Sequence, residues 1–255
     1  MDAERIPCSR LYDDLAWLMP VLCLPEDFAD QARRWLAVLR EKLGPGRHPL
    51  LVLGAGAGNL LWHLTSEFEI TAVDLSEDML ARCQRLNPGV TTQLGDMRSV
   101  RLGRTFSAVL IHDAISYMRT EVDLEAAFTT AAAHLRPGGV LVANPDYFQE
   151  TFHGPLVAHD TRVAGDTELT FVEYKHVPTG SSLLETVVTL YIRRSGVLSV
   201  ELDRHVTGLF PLAVWQRLMH KAGLACEVRS FPVSGLERPY TLLVGVLQGG
   251  MGAAS

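Results

Sequence analysis

Three glycines spaced by single residues, Gly54, Gly56 and Gly58 in LVLGAGAGN (51–59), directly follow an apolar run and precede a helical one. Glycine at such a turn lets the backbone bend sharply and admits a ligand where a Cβ would collide, while the next helix start offers unpaired N–H groups. Ala55 lies inside the same turn. Twenty residues after Gly54, TAVDLSEDML closes another apolar run at Asp74, a carboxylate suited to accept from both hydroxyls of a ribose. Leu75 and Met79 add apolar surface beside it, and Ser76, Glu77 and Asp78 suit the start of the next helix. In TQLGDM, Asp96 is placed to take an exocyclic base amine and Met97 to cover a ring, an ordinary acidic turn being the other reading. A further apolar run ends in HDAISY, bringing His112, Asp113, Ser116 and Tyr117 to one place. His112 reads either as a neutral ring beside the base or as a general base, and Asp113 either as an acceptor contact or as a helix cap. The chemistry these residues describe is the binding of a nucleotide-like cofactor along successive turns, with acid–base groups alongside.

Such turns line up only if the intervening segments alternate between strand and helix. Leu50–Leu53, Ile70–Val73, Val90–Leu94, Ala108–Ile111 and Val140–Ala143 read as short apolar strands; Leu60–Thr65, Glu77–Leu86 and Glu121–Leu135 carry helical spacing. That alternation predicts an α/β fold, a Rossmann-like, seven-stranded, mostly parallel sheet with helices on both faces, whose strand C-termini face the ligand crevice. Ahead of it, residues 1–45 form a helical lid, ending at Gly44-Pro45-Gly46. After Pro145 the pattern changes: Glu168–Lys175, Leu183–Arg194 and Val197–Val206 read as three antiparallel strands within an insertion over residues 146–208. A helix over Pro211–Gly223 and strands at Ala225–Phe231 and Tyr240–Leu247 complete the core, which spans 46–145 and 209–248; the tail 249–255 is expected to be disordered.

Composition narrows the function classes. The formal charge of −6, from 29 acidic against 23 basic side chains, comes with no basic stripe to hold a phosphate backbone, so nucleic acid is a poor partner. No apolar stretch approaches the roughly 20 residues that span a bilayer, and the first residues lack a secretory pattern, so a cytoplasmic protein is expected. Cys8, Cys23, Cys83 and Cys226 are scattered without a CxxC pair and read as reduced, structural thiols. The nine histidines show no metal spacing; His153 and His159 with Asp160 read as solvated loop residues rather than ligands, and no metal is expected.

The order of motifs — glycine turn, acidic strand end, GDM, then LRPGG before the fifth strand — resembles the class I S-adenosylmethionine methyltransferases over Pro49 to Asp146 and again over the last helix and two strands. The resemblance implies S-adenosylmethionine as cofactor and S-adenosylhomocysteine as product. By position it assigns the methionine moiety to Gly54, Gly56 and Gly58, the ribose to Asp74, and the adenine to Asp96 with Met97. One position departs from the family: two residues before the first glycine, where an acid is usual, stands Val52. A dinucleotide dehydrogenase is disfavoured because Asn59 occupies the last glycine position of its fingerprint. The segment RLYDDLAWLM resembles the YD-x-x-A stretch of small-molecule methyltransferases, which makes Tyr12 a lid contact to cofactor and acceptor. The insertion resembles that of amino-sugar and glycine N-methyltransferase-like enzymes. This implies an acceptor pocket with Tyr12, Asp113, Tyr117, Tyr147 and Phe148, with His153 and His159 as further contacts where the chain leaves the sheet end, and with Arg204 and His205 as weaker candidates. The function implied is N-methylation of a small-molecule amine in specialised metabolism by direct in-line transfer, with Tyr12, His112 and Tyr117 as catalytic candidates. An O-methyltransferase, or a binding protein that has lost catalysis, are the alternatives. The β-branched insertion also offers a surface for homo-oligomerisation.

Overall fold

Parallel pairing of short, largely apolar strands organises the chain, because strands covered on both faces need no polar alternation. In this computed structural model, which describes residues 9–232 and 239–248, the first strand is β1 (His48–Leu53). It pairs in parallel with β2 (Phe68–Asp74), Leu50 opposite Ile70, and with β4 (Phe106–His112), Leu50 opposite Ala108. With β3 (Thr91–Leu94), β5 (Leu135–Asn144), β10 (Leu224–Phe231) and β11 (Tyr240–Leu247) they form a seven-stranded sheet in the order β10-β11-β5-β4-β1-β2-β3. Only β11 runs against its neighbours, pairing antiparallel with both β10 and β5. The seven-stranded, mostly parallel sheet is therefore as expected. The Cys8 reading and the expected disordered tail lie outside the described residues.

Helices cover both faces. Helix α2 (Ala29–Leu43) buries Trp35 and Leu39 against Leu50, Val52 and Leu110 on one face, together with α3 (Asn59–Trp62). On the other, α5 (Glu121–Ala133) and α6 (Leu212–Lys221) bury Phe128, Trp215 and Leu218 against Val109, Ile111 and Leu141. Helix α4 (Glu77–Leu86) is capped by the Ser76 hydroxyl, which accepts from the Met79 N–H at 3.2 Å. Helix α5 stops two residues before the expected Leu135 because that residue already opens β5, and the Leu-Arg-Pro-Gly-Gly stretch makes a bulge there. Phe106 pairs Leu135 but Ala108 pairs Val140, with Gly138 at φ 75°. Helix α3 falls short of the expected Thr65 and is continued by single turns.

Two expectations are corrected. The insertion holds four strands, not three: β6 (Leu156–Ala164), β7 (Thr167–His176), β8 (Leu183–Arg194) and β9 (Val197–Gly208) form a separate antiparallel sheet in that order. Strand β6 escapes a sequence reading because nearly all of its side chains are exposed and its sequence is mixed; only its ladder to β7 makes it a strand. His159 and Asp160, expected in a loop, lie on it. The N-terminal lid is not continuously helical. Pro20 and Pro25 divide it into 3₁₀ turns at Arg10–Tyr12, Ala16–Leu18 and Pro25–Phe28, the four-residue α1 (Met19–Leu22), and α2. Leu11, Leu15 and Leu18 from these turns pack on Val188, Leu190 and Ile192, which share one face of β8 by strand periodicity. The lid and the inserted sheet thus have a small core of their own.

Candidate functional site

The C-terminal ends of β1, β2 and β4 converge on one crevice. Its floor is the glycine turn, pinned by the Gly54 and Ala55 N–H groups, which donate to the Val73 carbonyl at 2.8 and 3.0 Å. A Cβ on Gly54, at φ 73°, would lie 2.3 Å from the Ala114 Cβ, and one on Gly58 would lie 2.6 Å from the Asn87 amide. Packing therefore demands glycine at both positions. Gly56 faces open space, where packing demands nothing, and its N–H donates to Asp74 Oδ2 at 2.8 Å. Asp74 Oδ1 accepts from the Ser76 N–H at 3.0 Å. The carboxylate is thus held by two backbone donors and keeps lone pairs for two hydroxyls. Leu75 beside it is 69% exposed, a large apolar side chain at the crevice with nothing covering it. An open glycine cradle, an oriented carboxylate and a bare leucine fit a nucleoside with a polar tail.

Other expected cofactor residues are placed differently. Met79 and Met97 are buried in the core, and Met97 lies directly beneath Gly54, where it supports the turn from below. Asp96 is gripped by Arg98, whose Nε lies 3.0 and 3.1 Å from its two oxygens, and Arg98 also reaches Asp123 at 2.8 Å. The guanidinium holds the Asp96 carboxyl below the usual range. His112 turns toward α2. Its Nε2 lies 2.8 Å from Gln31 Oε1, and its ring meets Trp35 and Phe28 edge-on at 5.6 and 5.9 Å. Burial lowers its pKa to about 4, so the ring is neutral near pH 7. Asp113, at φ 33°, is the cap residue of the following 3₁₀ turn, with its carboxylate 3.3 Å from His112 Nδ1.

Tyr12 and Tyr117 do come together. Their hydroxyls lie 3.0 Å apart, and the Tyr117 hydroxyl is 2.7 Å from His205 Nδ1 on β9. The Tyr12 carbonyl accepts from the Ser76 hydroxyl at 2.9 Å, which ties the lid to the β2 end beside Asp74. Behind His205, Asp203 is fully buried with Oδ2 at 3.1 Å from the His205 Nε2. Arg10 and Leu11 donate their backbone N–H groups to the Asp203 carboxylate at 3.0 and 2.9 Å. Burial pushes the Asp203 pKa upward, but these bonds outweigh it and hold the group below the usual range. Phe148 is corrected out of the acceptor pocket: it is buried edge-on to Trp215, because a phenyl ring at that position completes the core. Tyr147 remains half-buried at the edge, its ring 5.2 Å from that of Phe152. His153 lines a separate cleft of about 520 Å³ with Phe152, Tyr174 and His176. Asp160 pairs with Arg162 at 3.0 Å and Arg204 is bound to Glu185. Sequence reasoning missed Asp203 and Gln31. A D-x-H pair in a strand puts both side chains on one face, and that spacing was the available signal for Asp203.

Comparison with known proteins agrees with this fold. A family described as "Methyltransferase domain" matches residues 50–139. The dTDP-3-amino-3,4,6-trideoxy-alpha-D-glucopyranose N,N-dimethyltransferase of Streptomyces venezuelae is 34% identical over 79% of this chain and 85% of its own length. The dTDP-3-amino-3,6-dideoxy-alpha-D-glucopyranose N,N-dimethyltransferase of Streptomyces fradiae is 34% identical over 75% of this chain and 76% of its own. Among solved structures, DesVI of Streptomyces venezuelae superposes with a TM-score of 0.79 at 31% identity, covering 91% of this chain and 95% of that one. S-adenosylmethionine-bound CalS10, an amino pentose methyltransferase of Micromonospora echinaspora, gives 0.75 at 25% identity over 86% and 91%.

Proposed function

The chain belongs to the S-adenosylmethionine-dependent methyltransferases, and from that membership we propose that it N-methylates the amine of a nucleotide-linked amino sugar. S-adenosylmethionine is its cofactor and supplies an electrophilic sulfonium methyl group when bound. The observation that carries the acceptor assignment is the Tyr12–Tyr117 pair, held over the β2 and β4 ends by Ser76 and His205. Two hydroxyls on a partly exposed aromatic wall can hold an amine by its N–H groups while leaving its lone pair directed into the crevice. On this reading Gly54, Ala55, Gly56 and Gly58 cradle the methionine end and Asp74 takes the ribose. Leu75 and Asp96 meet the adenine, and Asp113 and Tyr147 border the acceptor. The Val52 position, acidic elsewhere in the family, is buried here among α2 side chains and serves packing.

Position and desolvation do most of what such a transfer needs, since the methyl group is already activated. The test is incubation with S-adenosylmethionine and dTDP-3-amino-3,6-dideoxy-α-D-glucopyranose. Products heavier by one and two methyl groups on nitrogen support the reading, and methyl found only on oxygen overturns it in favour of an O-methyltransferase. The two separate sheets support a division into lid (1–45), cofactor core (46–145 and 209–248) and roof (146–208). Exposed Val157, Val163, Val197, Leu198 and Val200 on the roof support self-association through the inserted sheet, which sedimentation would detect. A cytoplasmic location belongs to the same reading, supported by free Cys23, Cys83 and Cys226 among the described residues.

A further inference from the structure

We propose that His205, backed by Asp203, is the proton acceptor for the acceptor ammonium, reached through Tyr117 and Tyr12 as a two-tyrosine relay. The inference rests on the amine reading above. An amino-sugar nitrogen arrives largely protonated near neutral pH, and without a lone pair it cannot take a methyl group. The contacts along the line from Asp203 can hand a proton in one direction. The Asp203 carboxylate can only accept, so the contact at 3.1 Å places the His205 proton on Nε2. Nδ1 of the neutral ring is then a lone pair that can accept from the Tyr117 hydroxyl 2.7 Å away. As placed, that hydroxyl donates to Tyr12 at 3.0 Å; rotation of the two phenol protons turns the line, so that Tyr117 donates to Nδ1 and Tyr12 to Tyr117. The Tyr12 oxygen is left as the accepting end, on a residue 37% exposed at the crevice.

The step balances without any further reactant. The ammonium gives a proton to Tyr12, Tyr12 passes its own to Tyr117, and Tyr117 passes its own to Nδ1. The products are a neutral amine and an imidazolium paired with Asp203; the imidazolium returns its proton to water once product leaves. Neither tyrosine need become a free phenolate, which suits Tyr117, whose burial raises its pKa well above the usual phenol range. The groups that face the relay are acidic, neutral or already paired. On its own strand stands Asp203; from the lid come Tyr12 and the thiol of Cys23, pushed up to about 11 by burial and so neutral. Asp113 and Asp146, from the loops after β4 and β5, add negative potential at Tyr12. The lid cation Arg10 is bound to Asp14 and Glu201. His205 touches the reaction only through the tyrosines and is a positioning and proton-holding residue.

Two measurements test the relay on the intact enzyme. The first needs no acceptor: ¹⁵N NMR of histidine-labelled protein, with His205→Gln giving the assignment, should show His205 as the Nε2–H tautomer, and Nδ1–H would overturn the relay whatever the substrate is. The second is the pH profile of kcat/KM with dTDP-3-amino-3,6-dideoxy-α-D-glucopyranose. Wild type should be level just below the ammonium's own pKa, where His205 is neutral, whereas His205→Gln should rise about tenfold per pH unit there and meet wild type at high pH. A His205→Gln profile that runs parallel to wild type means a structural role only and overturns the proposal. Unchanged S-adenosylmethionine binding in the same variant keeps this outcome distinct from failure of the cofactor reading, and absence of turnover in wild type indicts the acceptor assignment while the tautomer still judges the relay.

Discussion

The floor and the roof of the crevice are built in opposite ways. On the floor, binding groups come from successive strand ends of one sheet, and the defining bond, Gly56 N–H to Asp74, joins residues 18 apart. On the roof, Tyr12 meets Tyr117 across 105 residues, Tyr117 meets His205 across 88, and Leu11 meets Asp203 across 192. The floor is mostly backbone, fixed by β1–β2–β4 pairing; the roof is side chains from the lid, one loop and the inserted sheet. A floor of this kind binds one constant ligand through main-chain geometry, while a roof of side chains can be exchanged to fit another acceptor without disturbing it.

If that division is real, damage to one region should spare the other. The largest effect is expected from Gly54→Val, since even a Cβ would meet the Ala114 Cβ at 2.3 Å. S-adenosylmethionine binding should vanish in calorimetry and stability should fall by about 2–4 kcal/mol in denaturant melts. Asp203→Ala removes the acceptor for three backbone N–H groups and the partner of His205, and should cost about 3–5 kcal/mol while leaving cofactor affinity within threefold. A matching loss of affinity would show that roof and floor are one unit. The His112 ring beside α2 predicts an acid limit to stability. Because its folded pKa is depressed to about 4, the unfolded chain takes up the proton first, so stability is full above about pH 6.5 and falls by at most about 3 kcal/mol toward pH 4. His112→Gln should flatten that slope in melts across the range; an unchanged slope would assign it to other groups. Tyr12→Phe is the mildest, lowering turnover by roughly tenfold, about 1.4 kcal/mol in barrier, with cofactor affinity and melting unchanged. Unchanged kinetics would remove Tyr12 from the site.

The same contrast explains what could be read from the amino acids alone. Gly54, Gly56, Gly58 and Asp74 were legible because their spacing follows from one strand–turn–helix unit, and helix α4 was found residue for residue because Ser76 marks its start. Asp203 was missed because only the D-x-H spacing marks it locally, while the Arg10 and Leu11 donors that hold it come from the other end of the chain. Phe148 and Met97 carried the right chemistry for a site, but burial decides which way a side chain turns, and both complete the core. Strand β6 lacked an apolar face to announce it, and His112, which read as a ring beside the base or a general base, is enclosed by Gln31 and Trp35 of α2 and by Phe28 of the turn before it.

The most direct test of the claim that the floor alone holds the cofactor is a calorimetric titration of S-adenosylmethionine into wild type, Asp74→Ala and Tyr12→Phe. The account predicts micromolar binding to wild type, about −8 kcal/mol, equal binding to Tyr12→Phe, and at least about tenfold weaker binding to Asp74→Ala. Equal affinities for wild type and Asp74→Ala, or no heat with wild type, would contradict it.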